Sequence, residues 1–174
     1  MKRLFLLTSL SALLFTSVTA SAQDDKAKRP SPPAKATQTL ASGAVITIDY
    51  SAPALKGRTI GKDVEPKKGE VWRAGANEAT VFATSKNITV EGKALPAGKY
   101  GFYVLSGDKD WTLIFNKKSD LWGADGYEPS NDALRVKVTP GKSATPQERL
   151  TYTISKAGKV SLVWGTLELG FTVK

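Results

Sequence analysis

The chain has 174 residues, with 25 Lys and Arg against 16 Asp and Glu, no His, no Cys and a single Met, the initiator Met1. Without thiols or imidazoles there is no Cys or His nucleophile, no His general base, no disulfide or disulfide-linked partner, and no zinc, copper, haem or iron–sulfur centre of the usual ligand types. No cofactor or metal is expected, and any chemistry falls to carboxylates, Lys, Arg, Tyr, Ser or Thr.

At the start of the chain Lys2 and Arg3 precede an apolar stretch, Leu4 to Val18, and Ala20-Ser21-Ala22 stands ahead of Gln23. This is the pattern of a secretory signal peptide over residues 1–22, cleaved after Ala22. The stretch is shorter than the roughly 20 apolar residues a membrane span needs. It is also broken by Thr8, Ser9, Ser11, Thr16 and Ser17, so no transmembrane segment is expected and the destination is periplasmic or secreted. Removing residues 1–22 from 174 leaves 152, a length that fits one domain able to bury roughly 68–70% of its unfolded surface without a disulfide.

Residues 23–37, QDDKAKRPSPPAKAT, carry four basic and two acidic groups and no large apolar side chain. They read as a flexible Pro/Lys/Ala-rich leader, which leaves residues 38–174 as the domain. Setting aside the two basic residues of the signal and the net two of the leader lowers the surplus from +9 to +5. That remainder is scattered mostly as single Lys, with no Arg cluster or basic helix, and reads as a solvated surface rather than a nucleic-acid interface.

From residue 38 onward the apolar residues recur with a period of two, which argues for strands. Ile46, Ile48 and Tyr50 share one face. Tyr100, Phe102 and Val104 do the same, as do Trp111, Leu113 and Phe115, then Leu134, Val136 and Val138. Leu150, Tyr152 and Ile154 follow, then Val160, Leu162 and Trp164, and last Leu167, Leu169, Phe171 and Val173. Turn chemistry at Glu91-Gly92, Pro96-Ala97-Gly98, Ser106-Gly107-Asp108, Pro140-Gly141 and Ala157-Gly158 makes hairpins the natural connections. No stretch carries a helical period long enough for a major helix. About nine short strands in one domain predict an all-β, single antiparallel sandwich, jelly-roll-like, with a barrel as the second choice. Two long connections, residues 51–70 and 117–132, interrupt the pattern, and long loops on a rigid scaffold are where function concentrates.

The segment Val71-Trp72-Arg73-Ala74-Gly75-Ala76-Asn77-Glu78-Ala79-Thr80 stands apart. Its small residues permit close approach of a backbone or a ligand. Arg73 offers a planar fork for carboxylate, phosphate or sugar hydroxyls, with Asn77 and Glu78 beside it. The competing structural reading is an ion pair from Arg73 or Arg58 to Glu78 that pins the long loop. Trp72, Trp122 and Tyr127 fall in or near the loops, where a ring could stack on a sugar or plug an end of the sandwich.

The run Tyr50-Ser51 with Pro53, Lys56-Gly57-Arg58, Val71 to Thr80, Leu95-Pro96-Ala97-Gly98, Trp111 to Asn116 and Trp122-Gly123 resembles a bacterial exported family, domain of unknown function 2911, common in Bacteroidota. The resemblance covers most of residues 34–174, and its specific part is the Trp-Arg-x-Gly-x-Asn-Glu-Ala-Thr segment. It implies a periplasmic or secreted β domain without an established activity and supplies no catalytic residues.

The leading expectation is a non-catalytic binding module for a glycan or small anionic ligand, with Arg58, Trp72, Arg73, Asn77, Glu78 and Trp122 as its site. The alternatives are a carboxylate-dependent hydrolase acting on a glycan, which needs two acids at a suitable separation, and a structural or interaction domain of the cell envelope. The acids Asp120, Asp125, Glu128 and Asp132 could ligate calcium through oxygen, but their spacing misses the EF-hand loop.

Overall fold

The structure, a computed structural model, describes residues 22–174. The signal-peptide expectation lies outside the described residues except for Ala22. A six-residue helix, α1 (Ala22–Ala27), is followed by strands β1 (Pro33–Thr39), β2 (Val45–Ser51), β3 (Val71–Trp72), β4 (Thr80–Thr84), β5 (Ile88–Val90) and β6 (Lys93–Leu95). Then come β7 (Gly98–Leu105), β8 (Trp111–Asn116), a short 3-10 turn at Pro129–Asn131, β9 (Asp132–Val138), β10 (Gly141–Ile154) and β11 (Lys159–Thr172).

Seven strands form one antiparallel sheet in the order β1-β2-β4-β7-β8-β9, with β3 paired to β7 beyond the end of β4. The long β10–β11 hairpin and the β5–β6 hairpin form the facing layer. A bridge between Val90 and Val173 and paired backbone bonds between Thr89 and Lys174 join these two hairpins. No sheet closes on itself, so the sandwich expectation holds over the barrel.

The interior is an aromatic stack between the layers. Phe82, Phe102 and Phe115 from the main sheet meet Phe171 of β11 at ring-centroid distances of 6.5, 5.8 and 6.4 Å. Trp72 of β3 stacks on Trp164 of β11 at 6.1 Å with planes 15° apart. Burying aromatic side chains of this size from both sheets is the main driving force that holds the layers together.

The apolar pattern at the C-terminus changes phase between Trp164 and Leu167, and a Gly inside such a stretch usually marks a bulge, bend or close approach. A single strand, β11, runs through, and Gly165 at φ +55° takes up the phase change. Opposite it β10 has register shifts between Lys142 and Gln147 and between Gln147 and Thr151. Gly165 is needed on packing grounds as well: a Cβ there would come within 2.8 Å of Leu55 Cδ1.

The stretch read as a flexible leader is partly in the sheet. Pro33–Thr39 pairs along its whole length with β2, from Pro33 opposite Ser51 to Thr39 opposite Val45. An edge strand needs one partner for its backbone and little apolar side chain, so its small and polar composition concealed it.

Candidate functional site

The polar segment Arg73–Ala79 is an excursion between β3 and β4, which both pair with β7. Trp72 lies opposite Val104 and Thr80 opposite Phe102, so the chain leaves and rejoins the sheet around Tyr103. Ala74 and Asn77 adopt left-handed backbone conformations, at φ 52° and 57°, to make the reversal.

Its small residues admit the protein's own chain. Ala76 N–H donates to the Ser51 carbonyl at 3.2 Å, and a Cβ on Gly75 would come within 2.8 Å of Thr80 Oγ1 and 3.2 Å of Ser51 O. The buried Ala74 carbonyl accepts from Thr80 Oγ1 at 3.1 Å and from Tyr152 Oη at 2.7 Å. Trp72 is not at a surface: it is 2% exposed, and its indole N–H donates to the Gly75 carbonyl at 3.1 Å. The expectation that Trp72 meets a ligand is corrected by this burial, since its ring face is taken by Trp164.

Asn77 Nδ2 donates to the Ser31 carbonyl at 2.9 Å. Glu78 accepts from Arg29 and also pairs with Lys26 at 3.0 Å, not with Arg73 or Arg58. Burial alone would raise its carboxyl. A hydrogen bond from its own backbone N–H, with the hydrogen bonds of Lys26 and Arg29 and the charge of Lys26, outweighs that and holds it at about 2. The N-terminal residues 26–31 thus supply the partners for which the sequence suggested a ligand. Arg73 lies beneath the 117–127 loop, where a Cβ on Gly123 would come within 2.8 Å of its guanidinium, and its Nε is buried without a partner among the described residues. Trp122 sits on that loop at 58% exposure, and its backbone bridges to Glu78.

Arg58 stands elsewhere. Its Nε and Nη2 donate to the Leu55 and Ala54 carbonyls at 2.9 and 2.8 Å, which fixes the guanidinium against its own loop. There it lines a groove of about 900 Å³ with Leu55, Ile60, Trp111, Lys142 and Leu167. The structure therefore brings Arg73, Asn77, Glu78 and Trp122 into one neighbourhood and sets Trp72 and Arg58 apart from it. Asn77 and Glu78 meet the N-terminal segment, Trp72 is core, Arg73 and Trp122 belong to the 117–127 loop region, and Arg58 belongs to the groove.

Sequence reading reached only the Arg58 wall of the groove, because the other walls come from distant segments, residues 140–148 and 165–167, and from Trp111. The signals in the chain that pointed to it were the long connection 51–70 and Arg58 within it. Among the described residues no group of three or more acids could hold a metal ion, and no helix is long and apolar enough to cross a membrane.

Glu78 and Asp49 do not have the features of a hydrolytic pair. Glu78 and Asp49 line a small cavity of about 230 Å³, but each is engaged, Glu78 as above and Asp49 with Lys35 at 2.7 Å. A general acid at neutral pH needs a raised carboxyl, and Glu78 is lowered.

The family model described as "Protein of unknown function (DUF2911)" matches residues 31–173. No curated protein and no solved structure matches the chain.

Proposed function

Because the chain belongs to this family of proteins of unknown function, we propose for it the role of an exported, non-catalytic binding module that holds a small anionic ligand in the groove beside Arg58. The groove itself carries the reading. Its volume of about 900 Å³ falls in the range of small-molecule sites, about 300–1,000 Å³. Its lining is mostly apolar with a few polar groups, among them the cations Arg58 and Lys142. The one acid in the lining, Glu148, accepts from the Lys56 backbone N–H at 2.7 Å. A carboxylate or phosphate would meet two cations there and one acid already engaged.

A glycan is the second reading, favoured by Trp111. Its indole N–H is tied to the Gly107 carbonyl at 3.1 Å, which holds the ring in the groove wall.

A ligand bound only by the native state raises the melting temperature, by the equivalent of about 2.7 kcal/mol at a hundredfold excess over its Kd. Screening the protein against organic acids, phosphates and sugars tests both readings. Anions should stabilise the parent and lose their effect in Arg58→Gln. Stabilisation by neutral sugars alone would favour the glycan, and no shift with any compound would remove the binding role. The export reading rests on the signal-like residues 1–22 and is checked by the N-terminus of the protein recovered from expressing bacteria, which should begin at Gln23.

A further inference from the structure

We infer that the ligand of this groove is a single-chain amphiphile with an anionic head, a carboxylate or a phosphate; this rests on the groove being the ligand site. The groove is the mouth of the sandwich. Leu55, Ile60, Trp111 and Leu167 line it and are also partly buried residues packed against the main hydrophobic core, so its floor is apolar. Pairing of β10 with β11 is irregular here, with register shifts between Lys142 and Thr151 opposite the bend at Gly165, whereas Thr151–Ile154 pair regularly with Val160–Val163.

The two kinds of wall set the chemistry. A small inorganic anion would satisfy Arg58 and Lys142 but leave the apolar wall in water. A neutral hydrocarbon would cover that wall and leave the cations unused. A chain carrying an anionic head uses both, with the chain along Leu55, Ile60, Trp111 and Leu167 and the head toward the guanidinium that the Ala54 and Leu55 carbonyls hold in place. Arg presents its donors as a rigid fork, suited equally to a carboxylate and to a phosphate.

The test is a titration of the purified protein, followed by tryptophan fluorescence and calorimetry below the concentrations at which the probes self-associate. The probes are acetate, octanoate, laurate, dodecyl phosphate and dodecanol. Each buried methylene contributes a fixed free energy, so affinity should rise about tenfold for every two methylenes from octanoate to laurate. Laurate and dodecyl phosphate should both bind, and the tighter of the two identifies the head; dodecanol should bind at least about tenfold more weakly. Arg58→Gln and Lys142→Gln should weaken laurate and leave dodecanol unchanged. Thr166→Phe, at an exposed position in the groove lining, should block all of the chains while the melting temperature stays within a few degrees.

Acetate binding as tightly as laurate, in an Arg58-dependent way, would overturn the amphiphile and leave the anionic-ligand reading standing. Dodecanol equal to laurate would overturn the anionic head. Laurate binding indifferent to both Arg58→Gln and Thr166→Phe would place the chain elsewhere and overturn the inference. No binding by any of these probes would overturn the amphiphile, while a shift with another organic acid or phosphate in the screen above would leave the anionic-ligand reading standing.

Discussion

Arg29 donates to both carboxylate oxygens of Glu78, at 3.0 and 3.2 Å, across 49 residues of sequence. With Lys26 on the same carboxylate, this contact ties the N-terminal segment to the excursion that interrupts the main sheet.

The acid dependence of stability follows from that tie. The folded carboxyl of Glu78 is lowered from 4.5 to about 2, so the unfolded chain binds the proton more readily. The contribution of Glu78 is therefore complete above about pH 4.5 and is lost as the pH falls toward 2. The Glu78 side chain is 38% exposed, and solvent screening limits the effect. Glu78→Gln should cost about 1 kcal/mol or less at pH 7, with the difference from the parent closing by about pH 2 in urea unfolding followed across pH. A gap that stays constant with pH would show that the ion pairs contribute nothing.

Asp132 should matter more. Its side chain is 8% exposed and receives Asn116 Nδ2 at 2.8 Å, Tyr127 Oη at 2.8 Å and Arg135 Nε at 2.6 Å. These bonds anchor both ends of the loop that carries Trp122. Asp132→Ala removes the carboxylate that accepts from all three, Asn116 keeping only the Glu128 carbonyl, and should cost about 2–3 kcal/mol. Limited proteolysis should then cut faster between residues 117 and 128, and an unchanged cleavage rate would argue against the anchor.

The two Trp residues expected at a common site should behave in opposite ways. Trp72→Ala removes a buried ring stacked on Trp164 and should destabilise by about 3–5 kcal/mol in denaturant titration. Trp122→Ala, at an exposed position, should stay within about 0.5 kcal/mol of the parent. Equal costs would contradict their different burial.

Tyr103 is fully buried on the outer face of the main sheet, and its hydroxyl has no partner among the described residues. Burial pushes the phenol up, and the neighbouring Tyr127, Asp120 and Asp132 push it further, to about 12. A buried hydroxyl without a partner is a net cost, so Tyr103→Phe should stabilise by about 1 kcal/mol in thermal or chemical unfolding. A loss of stability would mean that the hydroxyl is bonded.

Strand faces were legible wherever one side meets the core and the other meets water, as in the alternation of Ile46 and Ile48 or of Leu113 and Phe115. The opposite face can be buried as well: Tyr103 and Ile114 are covered by the returning 117–127 loop, with Leu121, Ala124 and Tyr127 packed on top. Strand β1 was hidden for a different reason: its place in the sheet rests on backbone pairing with β2, which PAKATQT signals weakly.

Composition alone determined that no His, Cys or soft-metal chemistry is available to residues 23–174, and periodicity determined an antiparallel β sandwich. Both are properties of residue type and near-neighbour spacing. The partners of the charged groups were decided only by tertiary structure. Glu78 meets Arg29 rather than Arg73, and Arg58 lines a groove along with Lys142 rather than pairing with Glu78 in a polar loop. Charge pairing depends on separation in space, which strand register and the bend at Gly165 set over distances that no local pattern records.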